Sequence, residues 1–340
     1  MRVLQAMAGA EYGGAEAFFE RLILALHKEG VEQKALIRKN PGRAERLRTG
    51  GVDPVQLPFG NKFDFKTGWI FKKQIRTFKP DIVLTWMNRA TDKCPVGDFV
   101  HVARLGGYYD LKYYQACDHL VGNTRDIVGY LARRGVGEER VHYLPNFVSE
   151  KKGEPIGRKK LHTPRDVPLI VALGRLHANK AFDTLFRAVQ RLSDVYVWLA
   201  GEGPEKDTLE TLSEELGVRP RIRFLGWRND VENLLASADL FVCPSRHEPL
   251  GNVVLEAWAQ GLPVIAADSI GPGTLIEHLK NGMLTPVDDH RSMAEAIRHM
   301  LKNQAERERM AKAGRDVFRA SFTEAAVVQA YLDFFRKVMR

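Results

Sequence analysis

The chain has 340 residues, 44% apolar and 27% charged, a globular composition that excludes disorder over most of its length and favours two domains. No apolar run approaches the roughly 18–20 residues of a membrane span, and residues 1–8 meet Glu11 too soon to form a signal peptide. The net charge of +9 is uneven: residues 1–160 carry 28 Lys and Arg against 18 Asp and Glu, residues 161–340 carry 23 against 24, so the first half either presents a solvated basic face or meets something anionic, such as a phosphorylated lipid, a membrane surface or nucleic acid.

In chain order, residues 2–8 read as an apolar strand running into Gly9, Gly13 and Gly14. A helical period follows over 15–28, with Phe18, Leu22 and Leu26 on one face. Strand-like runs fall at 33–37, 54–57, 81–86, 99–103, 119–122 and 141–144, with helical runs near 43–49, 67–78 and 124–134. The stretch 148–166 loses its apolar period to Pro155, Gly157, Pro164 and two basic clusters, and residues 151–164 read as a linker. Strands then fit 168–173, 195–200, 221–225, 240–243 and 263–267, and helices fit 181–192, 204–216, 231–236, 252–260 and 291–301. Such alternation predicts two parallel sheets with right-handed crossovers, and ligands beyond the carboxyl ends of the strands, in a cleft between the halves. Residues 1–150 and 165–322 are the expected domains. A terminal helix over 323–340 carries Val327, Val328, Tyr331, Leu332, Phe334 and Phe335, a wide apolar face expected to cover the first domain. Cys94, Cys117 and Cys243 are odd in number and lack CxxC spacing. They argue against a disulfide framework or a zinc site, and for reduced thiols in a cytoplasmic protein.

Four constellations carry chemistry. Gly13, Gly14, Ala15 and Glu16 lie at the turn from the first strand to the first helix, where glycines admit a ligand and a helix N-terminus attracts phosphate; a plain tight turn reads equally well. The run from Gly174 to Lys180 places Arg175 and Lys180 five residues apart across a strand-to-helix turn, where both can reach one diphosphate or stand as solvated loop charges. Gly201 and Gly203, followed by Pro204, end a buried strand and suit close approach to a flat ring such as a nucleobase, or an ordinary turn. The sharpest string is Pro244-Ser245-Arg246-His247-Glu248-Pro249-Leu250-Gly251-Asn252-Val253-Val254-Leu255-Glu256-Ala257. It sets Glu248 on a loop and Glu256 on the helix after it, able to grip two parts of a long ligand, with the amides of Leu250, Gly251, Asn252 and Val253 between them.

That string closely resembles the E-x7-E motif of retaining glycosyltransferase family 4. The likeness covers nearly the whole chain, through the early Gly-Gly-x-Glu, the Gly-Arg-Leu…Lys segment, the Gly-x-Gly-Pro turn, Phe224-Leu225-Gly226-Trp227, and the continuation from Glu256 to Ile265. The resemblance implies a GT-B fold of two Rossmann-like parallel-sheet domains facing a central cleft. It implies Arg175 and Lys180 on the diphosphate of a nucleoside-diphosphate sugar, Glu248 on the transferred sugar and Glu256 on the ribose. Gly13 and Gly14 would close on the diphosphate, and the base would lie near Gly201, Gly203, Leu225 and Trp227. No cofactor or metal is expected, because fixed cations and a helix N-terminus can take up the charge that develops on the leaving phosphate. Asp288 and Asp289 read as a solvated turn.

One departure concerns the acceptor. Many family members place a histidine after the fifth strand, where this chain has Gly106. His101 lies on the strand itself, so Arg104, Tyr108 and Asp110 are the acceptor-side candidates, Asp110 as a general base. With no clear covalent nucleophile, the resemblance implies front-face attack, the acceptor proton passing to the departing phosphate, with domain closure excluding water. The run from Gly106 to Tyr114 resembles transferases of bacterial lipopolysaccharide core and related surface glycans, which implies a glycan or lipid-linked acceptor. Residues 63–76 mix aromatics with Lys66, Lys72, Lys73 and Arg76, a face suited to an anionic membrane surface or to core packing with a solvated cationic side. The expected location is cytoplasmic, peripheral to the inner face of the membrane. Alternatives are a nucleotide-sugar epimerase of the same architecture, or a non-catalytic or nucleic-acid-binding protein. No named nucleic-acid motif is present, so no nucleic-acid partner is expected.

Overall fold

The structure is a computed structural model and describes residues 1–11, 13–60 and 64–339. Phe63, at the start of the basic aromatic segment, and Arg340, at the end of the expected terminal helix, lie outside the described residues.

The chain divides into two compact units, Met1–Phe147 with Glu324–Arg340, and Val148–Thr323. Unit 1 contains β1 (Arg2–Met7), α1 (Gly14–Lys28), β2 (Glu32–Arg38), α2 (Pro41–Thr49), β3 (Pro54–Leu57), α3 (Phe65–Phe78), β4 (Ile82–Trp86), α4 (Met87–Asp92), β5 (Val100–Leu105), β6 (His119–Gly122), α5 (Arg125–Arg133) and β7 (Val141–Tyr143). Its seven strands lie in the order β3-β2-β1-β4-β5-β6-β7, every pair parallel. Buried side chains run almost unbroken along β1 and β4, as expected of strands covered on both faces. Phe18, Leu22 and Leu26 of α1 pack over the sheet around Trp86.

Unit 2 contains β8 (Leu169–Leu173), α6 (Phe182–Gln190), β9 (Tyr196–Ala200), α7 (Lys206–Glu215), β10 (Ile222–Phe224), α8 (Val231–Ala236), β11 (Leu240–Cys243), α9 (Asn252–Gln260), β12 (Val264–Ala267), α10 (Ile270–Leu275), β13 (Met283–Thr285), α11 (His290–Lys302) and α12 (Gln304–Ser321). The order is β10-β9-β8-β11-β12-β13, again all parallel. The stretch 151–164 is tied down within this unit. Lys152 Nζ donates to the Ala259 carbonyl at 2.6 Å, the Ile156 amide to Ser237 Oγ at 2.7 Å, and Arg158 pairs with Asp239 at 2.9 Å.

The chain then returns to unit 1 as α13 (Glu324–Val338). Its Val327, Tyr331 and Phe335 join the core around α1. The Tyr331 hydroxyl accepts from Arg104 Nε at 2.9 Å.

Candidate functional site

The strand order of unit 2 reverses between β8 and β11, the point at which a doubly wound sheet opens a crevice beyond its strand ends. After β8, a 3-10 turn over Ala178–Lys180 and a left-handed Ala181 (φ 52°) bend the chain sharply into α6. After β11, the chain enters α9 through Gly251, whose φ of 72° favours glycine. The two loops bring Lys180 Nζ and Glu248 Oε2 into an ion pair. Their side chains are only 21% and 10% exposed, so removing either partner leaves a charge largely withheld from water.

Arg246 sews these loops together. It pairs with Asp183 in the first turn of α6 at 2.7 and 3.0 Å, with Asp288 at 2.6 Å, and donates to the Ala178 carbonyl at 2.7 Å. The His247 amide adds a bond to the Asn179 carbonyl at 3.1 Å. Asp288 is therefore an ion-pair partner rather than a purely solvated turn residue, and Asp289 caps α11. The sequence reading missed Arg246 in this role because its acidic partners come from two distant segments. Cys243 is inert: burial first, then the Glu248 charge, push its thiol up to about 11.

A cavity of about 190 Å³ is lined by Gly174, Arg175, Gly201, Trp227, Arg228 and Glu256 among others, and its Gly174 packs against the Lys180 side chain. It brings four candidate residues together and adds Arg228, which is held by Asp230 at 2.7 Å. Trp227 is 71% exposed, an aromatic face open to stacking. Gly201 and Gly203 have a reason unrelated to a ring: a Cβ at either would collide with the Gly174 or Leu176 carbonyl, because the turns after β8 and β9 pack backbone to backbone. The Leu176 amide donates to the Glu202 carbonyl at 2.9 Å. Leu225 continues the β10 pairing through a bond from its amide to the Leu199 carbonyl at 2.9 Å. Leu250, Gly251, Asn252 and Val253 lead into the positive end of α9. Their loop is fixed by the Gly271 amide, which donates to the Glu248 carbonyl at 2.7 Å.

Unit 1 distributes the remaining candidates. At the N-terminus of α1, the buried Glu16 folds back and accepts from the Ala10 amide at 2.7 Å. A Cβ at Gly13 would collide with that carboxylate, whereas Gly14 faces open space. An anion thus already sits at this turn. Arg104 does not face an acceptor: it is 3% exposed, stacked between Trp86 and Phe18 at 4.5 and 4.7 Å and bonded to Tyr331 and Asn146. Asp110 is not poised as a base. It caps a 3-10 turn and pairs with Lys112 at 2.8 Å, and the Lys112 contacts hold its carboxyl below the usual range. Tyr108 is exposed and donates to Asp126. His101 is buried against Thr85 Oγ1 at 3.0 Å, and burial pushes it down to about 4.

On α3, Asp64 accepts from the Thr67 amide at 3.0 Å and starts the helix. Thr67 and Phe71 turn inward. Phe65 (79% exposed) and Trp69 (66%) share the outer face with Lys66, Lys72, Lys73 and Arg76. No helix is long and apolar enough to cross a membrane among the described residues, and none of their His, Cys, Asp and Glu side chains gather three together as a metal ligand set.

Residues 154–317 match the family described as Glycosyl transferases group 1, and residues 12–152 match Glycosyltransferase Family 4. The lipopolysaccharide core biosynthesis glycosyltransferase LpsD of Rhizobium meliloti is 36% identical over 98% of both chains. LpsE of the same organism, which carries the same description, is 37% identical over 94% of this chain and 95% of its own. Among solved structures, Anabaena HepE in complex with UDP-glucose superposes with a TM-score of 0.83 at 18% identity, covering 99% of this chain and all of the other.

Proposed function

This chain belongs to the group 1, family 4 glycosyltransferases, and from that premise we propose that it is a retaining, metal-independent transferase carrying a sugar from UDP to a hydroxyl of a lipopolysaccharide-core or related surface glycan. The observation that carries the reading is the largely buried Lys180–Glu248 pair at the reversal point of unit 2, joined through Gly174 to a cavity lined by Arg175, Trp227 and Glu256. The LpsD and LpsE relatives support the acceptor class. The UDP-glucose bound to HepE supports the carrier. Neither an epimerase nor a nucleic-acid-binding protein is favoured by these relatives.

In this reading Arg175 and Lys180 hold the diphosphate, with the positive end of α9 as a third source of charge. Together they stabilise the leaving phosphate without reorganising. Glu248, oriented by Lys180, holds hydroxyls of the transferred sugar. Glu256 holds the ribose, and Trp227 with the turn at Gly201 and Gly203 borders the base. The bond from the anomeric carbon to the phosphate oxygen breaks as the acceptor oxygen bonds to the same face of that carbon. The acceptor proton passes to the departing phosphate oxygen, so no protein base is required. The engagement of Asp110 by Lys112 accords with this route. The outer face of α3 lies against an anionic membrane surface.

The test is incubation with a panel of nucleotide sugars and isolated lipopolysaccharide core, following release of free UDP and the anomeric configuration of the product by NMR. Transfer from a UDP-sugar with retention is expected. An inverted product, or no nucleoside diphosphate released from any donor, overturns the reading.

A further inference from the structure

Unit 1 holds a cavity that the donor chemistry does not use. It measures about 610 Å³ and lies where β1 and β2 end and α2 begins, lined by Gly9, Ala10, Glu11, Arg38, Lys39, Asn40, Pro41, Gly42 and Arg46. The volume is far larger than a bare ion needs and falls within the usual range of small-ligand pockets. The position, beyond the carboxyl ends of parallel strands, is where such a sheet offers a binding crevice.

The charges are gathered here by the backbone. Asn40 caps α2 by accepting from the Arg43 amide at 2.9 Å, and its Nδ2 donates to the Glu11 carbonyl at 3.3 Å, tying the rim after β2 to the rim after β1. Arg43 is 1% exposed; it donates to the Ala10 and Glu11 carbonyls at 3.1 and 3.2 Å and to Glu20 at 2.9 Å. Its Nη1 finds no partner among the described residues. Arg46 shares Glu20 at 2.7 Å. Arg38 and Lys39 are exposed and form no ion pair among the described residues. Lining the hollow or packed behind its walls are four cations, Arg38, Lys39, Arg43 and Arg46, against three carboxylates, Glu11, Glu16 and Glu20, of which Glu16 is held by the Ala10 amide. Glu20 is already occupied by two arginines. Two cations without partners at the mouth of a built cavity leave positive charge that an anion can neutralise. Glu11 supplies an acceptor for a neighbouring hydroxyl.

We propose that this cavity binds the anionic substituent, phosphate or carboxylate, of the acceptor saccharide; the inference rests on reading the chain as a sugar transferase. Arg38 and Lys39 make the charge-assisted contacts, and the sugar ring fills the remaining volume against the backbone of Gly9 and Ala10.

The test is calorimetric titration of the full-length protein with glucose 6-phosphate, glucuronate and glucose. At least one charged sugar is expected to bind about tenfold or more tightly than glucose, the scale of one charge-assisted contact. The R38A/K39A double variant should lose that preference, and R38K/K39R should keep it, which separates charge from folding. R175A/K180A, altered only in unit 2, should also keep it. Equal binding of charged and neutral sugars overturns the proposal, as does a preference that survives R38A/K39A. A preference abolished only by R175A/K180A assigns the anion to unit 2 and overturns it as well. Failure of the transferase reading would show instead as no UDP release from any donor, with the sugar titrations unaffected.

Discussion

Lys180 and Glu248 orient each other, so the two are expected to fail differently when cut. Lys180→Ala should weaken UDP binding by roughly 1.5–3 kcal/mol and also lower the melting temperature, because Glu248 is left poorly hydrated without its partner. Glu248→Ala should depress turnover while largely sparing free-nucleotide binding, since its proposed ligand is the sugar. Glu256→Ala should depress both. Calorimetry with UDP beside steady-state rates separates the three, and wild-type UDP affinity in Lys180→Ala would sink the assignment. Arg246 is given no ligand in the proposed function but pins both loops, so Arg246→Met should cost roughly 1–2 kcal/mol in kcat/KM; Arg246→Lys, which keeps one ion pair, should recover part of it. The Lys180–Glu248 pair joins two short strings, 174–180 and 244–257, each of which leaves a strand end, so the residues that meet there were legible locally in the sequence. Arg246 was not, because Asp183 lies 63 residues away and Asp288 further along the chain on another turn. The glycines mislead in the other direction: sequence records that a side chain is missing, and not whether a ligand, a carbonyl or the Glu16 carboxylate takes the space.

Among the elements, α3 carries the exposed aromatics Phe65 and Trp69 on its outer face beside four cations. Replacing Lys72, Lys73 and Arg76 with Glu should weaken binding to anionic vesicles by ~1 kcal/mol or more per charge and leave UDP binding alone. Co-sedimentation with anionic and neutral vesicles at rising salt reads this, and a wild type that ignores anionic vesicles at low salt would end the membrane reading. A second expectation concerns β5 and β7. His101 and His142 are each pushed down to about 4, chiefly by burial. A histidine whose folded value lies below its unfolded one near 6.5 binds fewer protons folded than unfolded, so stability should be full above about 6.5 and decline as the pH falls toward 4. Melts stepped through that window test it, and a midpoint unchanged from pH 7 to about 4.5 would contradict it. Strong periods made most elements readable. The sequence reading passed over α12 because its 18 residues bury only Met310, Gly314 and Phe318, over α10 because its Gly-Pro-Gly spells a turn, and over β13 because three residues carry no period.

At the scale of the molecule, positive charge is concentrated in residues 1–160 while the residues proposed to hold the donor lie in Val148–Thr323. The division predicts that salt and acceptor charge should act on acceptor KM far more than on nucleotide affinity, which rates measured across an ionic-strength series would check. Activity is also expected to survive EDTA, because in the proposed function Arg175, Lys180 and the start of α9 supply the positive charge a divalent ion would bring; complete loss on chelation with rescue by magnesium or manganese would refute this. The alternation of strands and helices displayed both sheets in advance, yet no local pattern could announce what Arg104 does, since its partner Tyr331 stands 227 residues away. That bond gives the chain a built-in order of assembly. On the ribosome, unit 2 is synthesised whole before residues 324–339 emerge, and until then the nascent unit 1 holds a guanidinium between two aromatic rings without the phenol that completes it. Completion of the first-made half waits on the residues made after the second, so a stalled or clipped chain would present quality-control proteases with a finished unit 2 beside an open unit 1.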